Sequence, residues 1–358
     1  MLRKGTFILM KTKIQDMTSG SPGRLIILFA IPLMLGNICQ QLYTMVDTMV
    51  VGQVAGVEAL AALGAVDFLM WVVTGISTGL TQGFSIQLSQ YYGAKDFENL
   101  RKSLAHSYRL TAFIAAGVLI LSQSFASLVL TGLHTPSNII GMSLLYLRII
   151  FCGIPATAAY NMFASALRAM GNSKTPLTAM IIASVLNVSL DILFVAGFGW
   201  GVAGAAIATV IAQSFSAVYC FLILRRIDIV HLTRADFMPA SGMNARLMKL
   251  GIPVVFQNII IGVGGLVVQY VINGYGFLFV AGFTATNKLY GLLEMAAISY
   301  GYAIVTYVGQ NLGAGKIDRI RKGVRSSMLL SLLTSLIMSA AMFLFGKNIL
   351  SLFISGEP

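Results

Sequence analysis

Charge is what this sequence is short of. Asp, Glu, Lys and Arg together make up 10% of the 358 residues, against about 25% in an ordinary soluble domain, which excludes a water-facing surface over most of the chain. Histidine is scarce as well: His106, His134 and His231 stand far apart, so the close spacing of a metal-hydrolase site is missing. The three cysteines, Cys39, Cys152 and Cys220, all fall inside apolar stretches and imply neither a disulfide framework nor a metal site. The start, MLRKGTFILMKTKIQDMTSG, has an apolar core of only four residues, too short for the h-region of a cleaved signal. It reads as a cytoplasmic tail.

What is there is hydrophobic: 57% of the residues, with a mean hydropathy of +0.84. Runs long enough to cross about 30 Å of hydrocarbon recur along the length. Nine are expected, at 25–53, 58–90, 102–131, 138–168, 176–197, 202–226, 246–273, 280–312 and 324–350. The chain is therefore read as an all-α polytopic membrane protein. Its formal charge of +12 alternates with the connections. Lys and Arg fill the N-terminal tail and the segments around Lys95, Arg168, Arg225 and Lys316, whereas 54–57, 132–137, 198–201 and 274–279 contain none. That is the positive-inside pattern, with the N-terminus cytoplasmic. Nucleic acid is a poor partner for basic residues divided among separate short loops.

An internal repeat sets the organisation. QYYGAKDFENLRK at 90–102 matches QNLGAGKIDRIRK at 310–322 at an offset of 220, and AIP at 30–32 aligns with GIP at 251–253. Two parallel six-helix units are implied, with residues 1–23 as tail, 24–227 as an N-lobe, 228–245 as a cytoplasmic linker and 246–358 as a partial C-lobe. A complete second copy would run to about residue 450. On this reading nine of twelve spans are present, and the chain is expected to be a fragment or a truncated protein.

One polar residue stands out within the spans. Asp47, in LYTMVDTMVVGQ, places a carboxylate in an apolar run, where an ionised acid costs roughly 2.5–3.5 kcal/mol at the centre of a spanning helix and needs a use or a partner.

The segments IPLMLGNICQQLYTMVDTMVVGQ, QYYGAKD with its repeat VGQNLGAGK, AAYNMFASALRAMGNSKTP, and SVLNVSLDILFV followed by GVAGAAIATVIAQ resemble those of multidrug and toxic compound extrusion (MATE) transporters. The resemblance covers nearly all the chain from Gly23 and implies twelve helices in two lobes that open alternately to each side. It also implies a cation site on Asp47, Asn187, Asp191 and Thr209, for H+ or Na+, with no further cofactor. The residues support this by themselves. Asn187 and Asp191 are i, i+4 and share a helix face; Asp47, Asp191 and Thr209 all lie about 10 Å below the outer surface at 1.5 Å per residue. A structural hydrogen-bonding role is the plainer alternative for each residue taken alone.

Tyr43, one turn before Asp47, and Asn161 are candidate substrate-cavity residues. Glu294 is a third, with an ion pair to Lys288 as the structural alternative. The seventh span has Gln257 where members with a C-lobe site have Glu, which counts against such a site. Eighteen Met residues suit an adaptable lining, although helix packing accounts for most. Three catalytic-looking strings are decoys. GISTG at 75–79 lies inside a span without the strand a nucleophile elbow needs; GWGVAG at 199–204 sits in a short loop; GAGK at 313–316 has Ile317 where a phosphate loop needs Ser or Thr. No enzyme and no ATP site are expected.

The sequence thus points to a cation-coupled multidrug antiporter that exports organic cations or other xenobiotics across a cell membrane, among lipids. The alternatives are a lipid-linked saccharide flippase of the same superfamily, which would need a basic cavity, and a non-transporting remnant.

Overall fold

The computed structural model of the chain describes residues 14–133, 135–273 and 277–350. Its regular elements are helices: α1 (Pro22–Val54), α2 (Val57–Gly64), α3 (Asp67–Gly93), α4 (Phe97–Gly132), α5 (Ile140–Cys152), α6 (Ile154–Ala169), α7 (Lys174–Asp191), α8 (Gly201–Leu224), α9 (Met243–Asn273), α10 (Phe277–Gly313) and α11 (Ile317–Leu350). Among the described residues six helices are long and apolar enough to span a membrane by themselves. Two bent pairs, α2 with α3 at 40° and α5 with α6 at 46°, bring the number to eight. The eighth expected span, 280–312, falls within α10, a continuous helix of 37 residues.

Local chemistry explains where these helices start and bend. Ser21 precedes α1 and Pro22 occupies its first turn, where the missing N–H costs nothing. Asp96 caps α4 by accepting from the Asn99 amide at 3.1 Å. Gly153 separates α5 from α6, and Pro155 stands in the first turn of α6. Proline withholds a backbone donor from the preceding turn, and a Cβ on Gly153 would come within 2.6 Å of Val210 Cγ2 on α8. The bend therefore lets α8 pack into the corner.

Burial is inverted relative to a soluble protein. Phe113 is 80% exposed and Phe343 92% exposed, so large apolar side chains face outward, as hydrocarbon surroundings allow. Inside, Tyr43, Leu80, Phe84, Leu104, Tyr160 and Leu167 form a core drawn from α1, α3, α4 and α6.

The repeat segments meet each other. A Cβ on Gly93 would strike the Gln310 carbonyl, and one on Gly313, its counterpart 220 residues on, would strike the Gln90 carbonyl. The C-terminal ends of α3 and α10 thus cross at backbone contact. The N-terminal segment lies over this crossing. The Met17 amide donates to Gln310 Oε1 at 3.0 Å, Asn311 Nδ2 to Met17 O at 2.9 Å and Arg319 to Gly20 O at 2.9 Å. Gln15 N donates to Gly171 O at 3.2 Å, which ties the same strap to the turn between α6 and α7. Residues 1–13, the rest of the expected tail, lie outside the described residues.

The segment between α8 and α9 docks on α4. Asp236 Oδ2 accepts from the Thr233 amide and hydroxyl, and its Oδ1 lies 3.7 Å from Arg101. His106 contacts Asn244 Oδ1 at 2.7 Å and Met238 O at 3.1 Å.

Candidate functional site

Asp47 comes from α1, Asn187 and Asp191 from α7, and Thr209 from α8. α7 packs against both α1 and α8, and α1 also touches α8. Asp47 is 5% exposed and Asn187 and Asp191 are fully buried. Asn187 Nδ2 donates to Thr209 Oγ1 at 3.4 Å. Thr209 therefore meets α7, whereas Thr44, Thr48 and Thr78 donate to carbonyls of their own helices. The Asp47 and Asp191 charges are close enough to act on each other.

Several oxygens of this cluster lack donors among the described residues. Asp47 Oδ1, both carboxylate oxygens of Asp191, Asn187 Oδ1 and Gln213 Oε1 are buried with no hydrogen-bond partner. Buried acceptors are nearly always satisfied in folded proteins, and a group of them facing inward calls for a positive species. Oxygen donors of this kind suit a proton, which converts a carboxylate to a donor, or a hard cation such as Na+.

Immediately after Asp191 the backbone leaves the α-helix. Ile192–Gly197 is π-helical, with Phe198 N donating to Leu193 O at 2.9 Å. Such widened turns concentrate at functional positions. Gly204 on α8 accommodates this segment, since a Cβ there would come within 3.0 Å of Phe194 Cβ.

Tyr43 joins the cluster. It is 9% exposed, lies within electrostatic reach of Asp47 and Asp191, and its hydroxyl accepts from Gln213 Nε2 at 3.4 Å. Asn161 does not join it: its Nδ2 donates to Thr78 Oγ1 at 3.2 Å and links α6 to α3. Glu294 is exposed on α10, and the side chain of its expected partner Lys288 lies outside the described residues, as does His134.

Three further residues belong to the neighbourhood and were not picked out from sequence. Gln213 is one turn beyond Thr209, so its i, i+4 spacing was the available signal. Tyr146 on α5, 5% exposed, is within electrostatic reach of Asp47 and Asp191. Asp67, at the start of α3, acts on Asp47. Neither Tyr146 nor Asp67 carries a sequence pattern that links it to Asp47.

The chain is also similar to known proteins. A probable multidrug resistance protein of Bacillus subtilis, YpnP, is 31% identical over 346 residues, 97% of this chain and 77% of that protein. NorM of Thermotoga maritima, also a probable multidrug resistance protein, is 26% identical over 337 residues, 92% of this chain and 72% of its own length. A crystal structure of MATE in complex with MaL6 superposes with a TM-score of 0.90 at 23% identity, covering 97% of this chain and 78% of that one. A MOP superfamily transporter from Pyrococcus furiosus gives a TM-score of 0.91 at 23% identity, over 97% and 77% of the two chains. These two structures share the fold. The MatE family model matches residues 32–193 and 253–358, and the chain belongs to this family of multi-pass membrane transporters.

Proposed function

We propose that the protein is a secondary antiporter in which H+ or Na+ binding at Asp47, Asn187, Asp191 and Thr209 drives outward release of an organic cation or other xenobiotic. The observation that carries this reading is the set of buried oxygens without donors on three packed helices, α1, α7 and α8. A cation shifts an equilibrium between two conformations only through different affinity for each. The π-helical stretch after Asp191 and Pro32 inside α1 are points where the pocket's shape can change. Tyr43 would face substrate from the same pocket, with Asn161 and Glu294 on more distant walls. The basic connections favour a cytoplasmic N-terminus, and the repeat favours an N-lobe of 24–227, a linker of 228–245 and a C-lobe from 246.

A saccharide flippase would need cationic residues in the central cavity. The two arginines read farthest from the basic connections have other surroundings: Arg109 donates to Phe237 O at 2.9 Å, and Arg148 lines a groove between α4 and α5.

Asp47→Asn and Asp191→Asn in proteoliposomes with an imposed H+ or Na+ gradient test the proposal. Each is expected to lose at least about tenfold in gradient-driven efflux, the scale of one lost charge-assisted interaction, while drug binding in detergent persists. Full efflux in both variants would sink it.

A further inference from the structure

Arg148 has no role in the pocket and is hard to explain as packing. It is exposed on α5, and neither ion pair formed among the described residues involves it. It lines a groove of about 640 Å³ between α4 and α5, together with Leu119, Ile120, Gln123, Ser124 and Ile149. That volume is in the range that holds a small organic ligand. The groove has no Asp or Glu in its wall.

Its depth can be read from the helix ends. Arg148 lies about 12 Å along α5 from Ile140 and Gln123 about 14 Å along α4 from Gly132, at 1.5 Å per residue. Both helix ends adjoin a connection with no Lys or Arg. An arginine at this level keeps its guanidinium in polar surroundings by reaching along the helix toward the headgroup region.

The wall around it is built. Gln123 Nε2 donates to Arg148 O at 2.8 Å and to Cys152 Sγ at 3.3 Å, which pins α4 to α5 just before the bend at Gly153. Ser124 Oγ donates to Ile120 O at 2.8 Å, so its lone pairs remain toward the groove. An arginine in neither ion pair among the described residues, apolar side chains lining the same groove and no acid in its wall match one ligand chemistry: a phosphate carried on an acyl chain.

We propose that the α4–α5 groove is a binding site for an anionic glycerophospholipid of the surrounding bilayer, in the leaflet opposite the basic loops. Its phosphate pairs with Arg148, which presents the planar fork suited to phosphate oxygens, and an acyl chain lies along Leu119, Ile120 and Ile149. A net negative headgroup is preferred over a zwitterionic one because no carboxylate is present to hold a choline or ethanolamine cation. The inference is independent of which ion drives transport.

The test is native mass spectrometry of the full chain, titrated with phosphatidylglycerol or phosphatidylcholine. The expected result is a bound lipid with about fivefold preference for phosphatidylglycerol, the ratio one cationic side chain supplies near a membrane surface. That preference is lost in Arg148→Gln and largely kept in Arg148→Lys. Ile120→Trp fills the groove from α4 at a 65% exposed position; it is expected to reduce occupancy and serves if Arg148→Gln fails to fold. No preference in the wild type, or an undiminished one in both Arg148→Gln and Ile120→Trp, would overturn the proposal. So would a dimer whose interface depends on Arg148, because a second copy would then occupy the groove.

Discussion

Gln213 has two links to the proposed cation site: its amide holds the Tyr43 hydroxyl, and its Oε1 is one of the buried oxygens left without a donor among the described residues. Gln213→Leu is expected to raise the coupling-cation concentration needed for half-maximal efflux about fivefold, the equivalent of about 1 kcal/mol for one net interaction. Efflux against Na+ or pH, compared with thermal stability, separates a ligand from a simple tie between α1 and α8; a stability loss with unchanged cation dependence would assign the tie alone. Asn187, Asp191 and Thr209 were legible in the sequence because helical spacing and distance from a loop are counted along the chain. Gln213 shares that spacing. Its engagement with Tyr43 depends on which face of α8 turns toward α1, and that is a property of packing.

At the level of elements, the crossing of α3 and α10 rests on glycines that the repeat had marked. The 220-residue offset pairs Gly93 with Gly313, and the fold sets each against the other repeat's glutamine carbonyl. A methyl group at either position meets backbone, which cannot rotate away. Gly93→Ala and Gly313→Ala are each expected to cost about 1–3 kcal/mol, seen as a lower melting temperature in detergent. The double variant is expected to cost less than the sum, since residues in one contact are coupled. The repeat was readable as sequence identity; that its two copies touch was not, because offset says nothing of distance. The π-helical turn after Asp191 left no signal either, as ILFVAG is ordinary apolar sequence; Gly204 of α8 lies close against Phe194 there.

For the whole molecule, the strap at residues 15–20 connects parts that are otherwise far apart in sequence. Arg319 donates to Gly20 O at 2.9 Å, Met17 O at 3.3 Å and Asn311 Oδ1 at 3.0 Å, and Lys316 donates to Thr18 O at 2.8 Å. Arg319→Ala is expected to speed amide exchange of this segment about tenfold, the equivalent of one to two net hydrogen bonds, in hydrogen–deuterium exchange of the intact chain. Asp16 adds a pH dependence. Partial burial pushes its carboxyl up, but bonds from the Thr18 hydroxyl and amide and from Ser19 outweigh this and hold it below its ordinary value. A lowered folded-state value means the contribution is present above the ordinary carboxylate range and lost as pH falls through it. The strap's protection is therefore expected to be constant near neutrality and to weaken below about pH 4. Unchanged protection at acid pH would remove Asp16 from the account.

The sequence by itself determined the membrane class, the positions of the long helices and the parallel repeat, and it singled out Asp47, Asp191 and Thr209 as candidates, because hydropathy, spacing and distance from a loop are all measured along the chain. Tertiary structure decided which helices present those positions to one another. It set Thr209 against Asn187, left Asp47 Oδ1 and both Asp191 oxygens without donors among the described residues, turned Asn161 toward Thr78, and put Arg148 on a groove between α4 and α5. The physical reason is that a helix buried in hydrocarbon is apolar on nearly every face, so periodicity gives its length and leaves its rotation to be settled by packing against its neighbours.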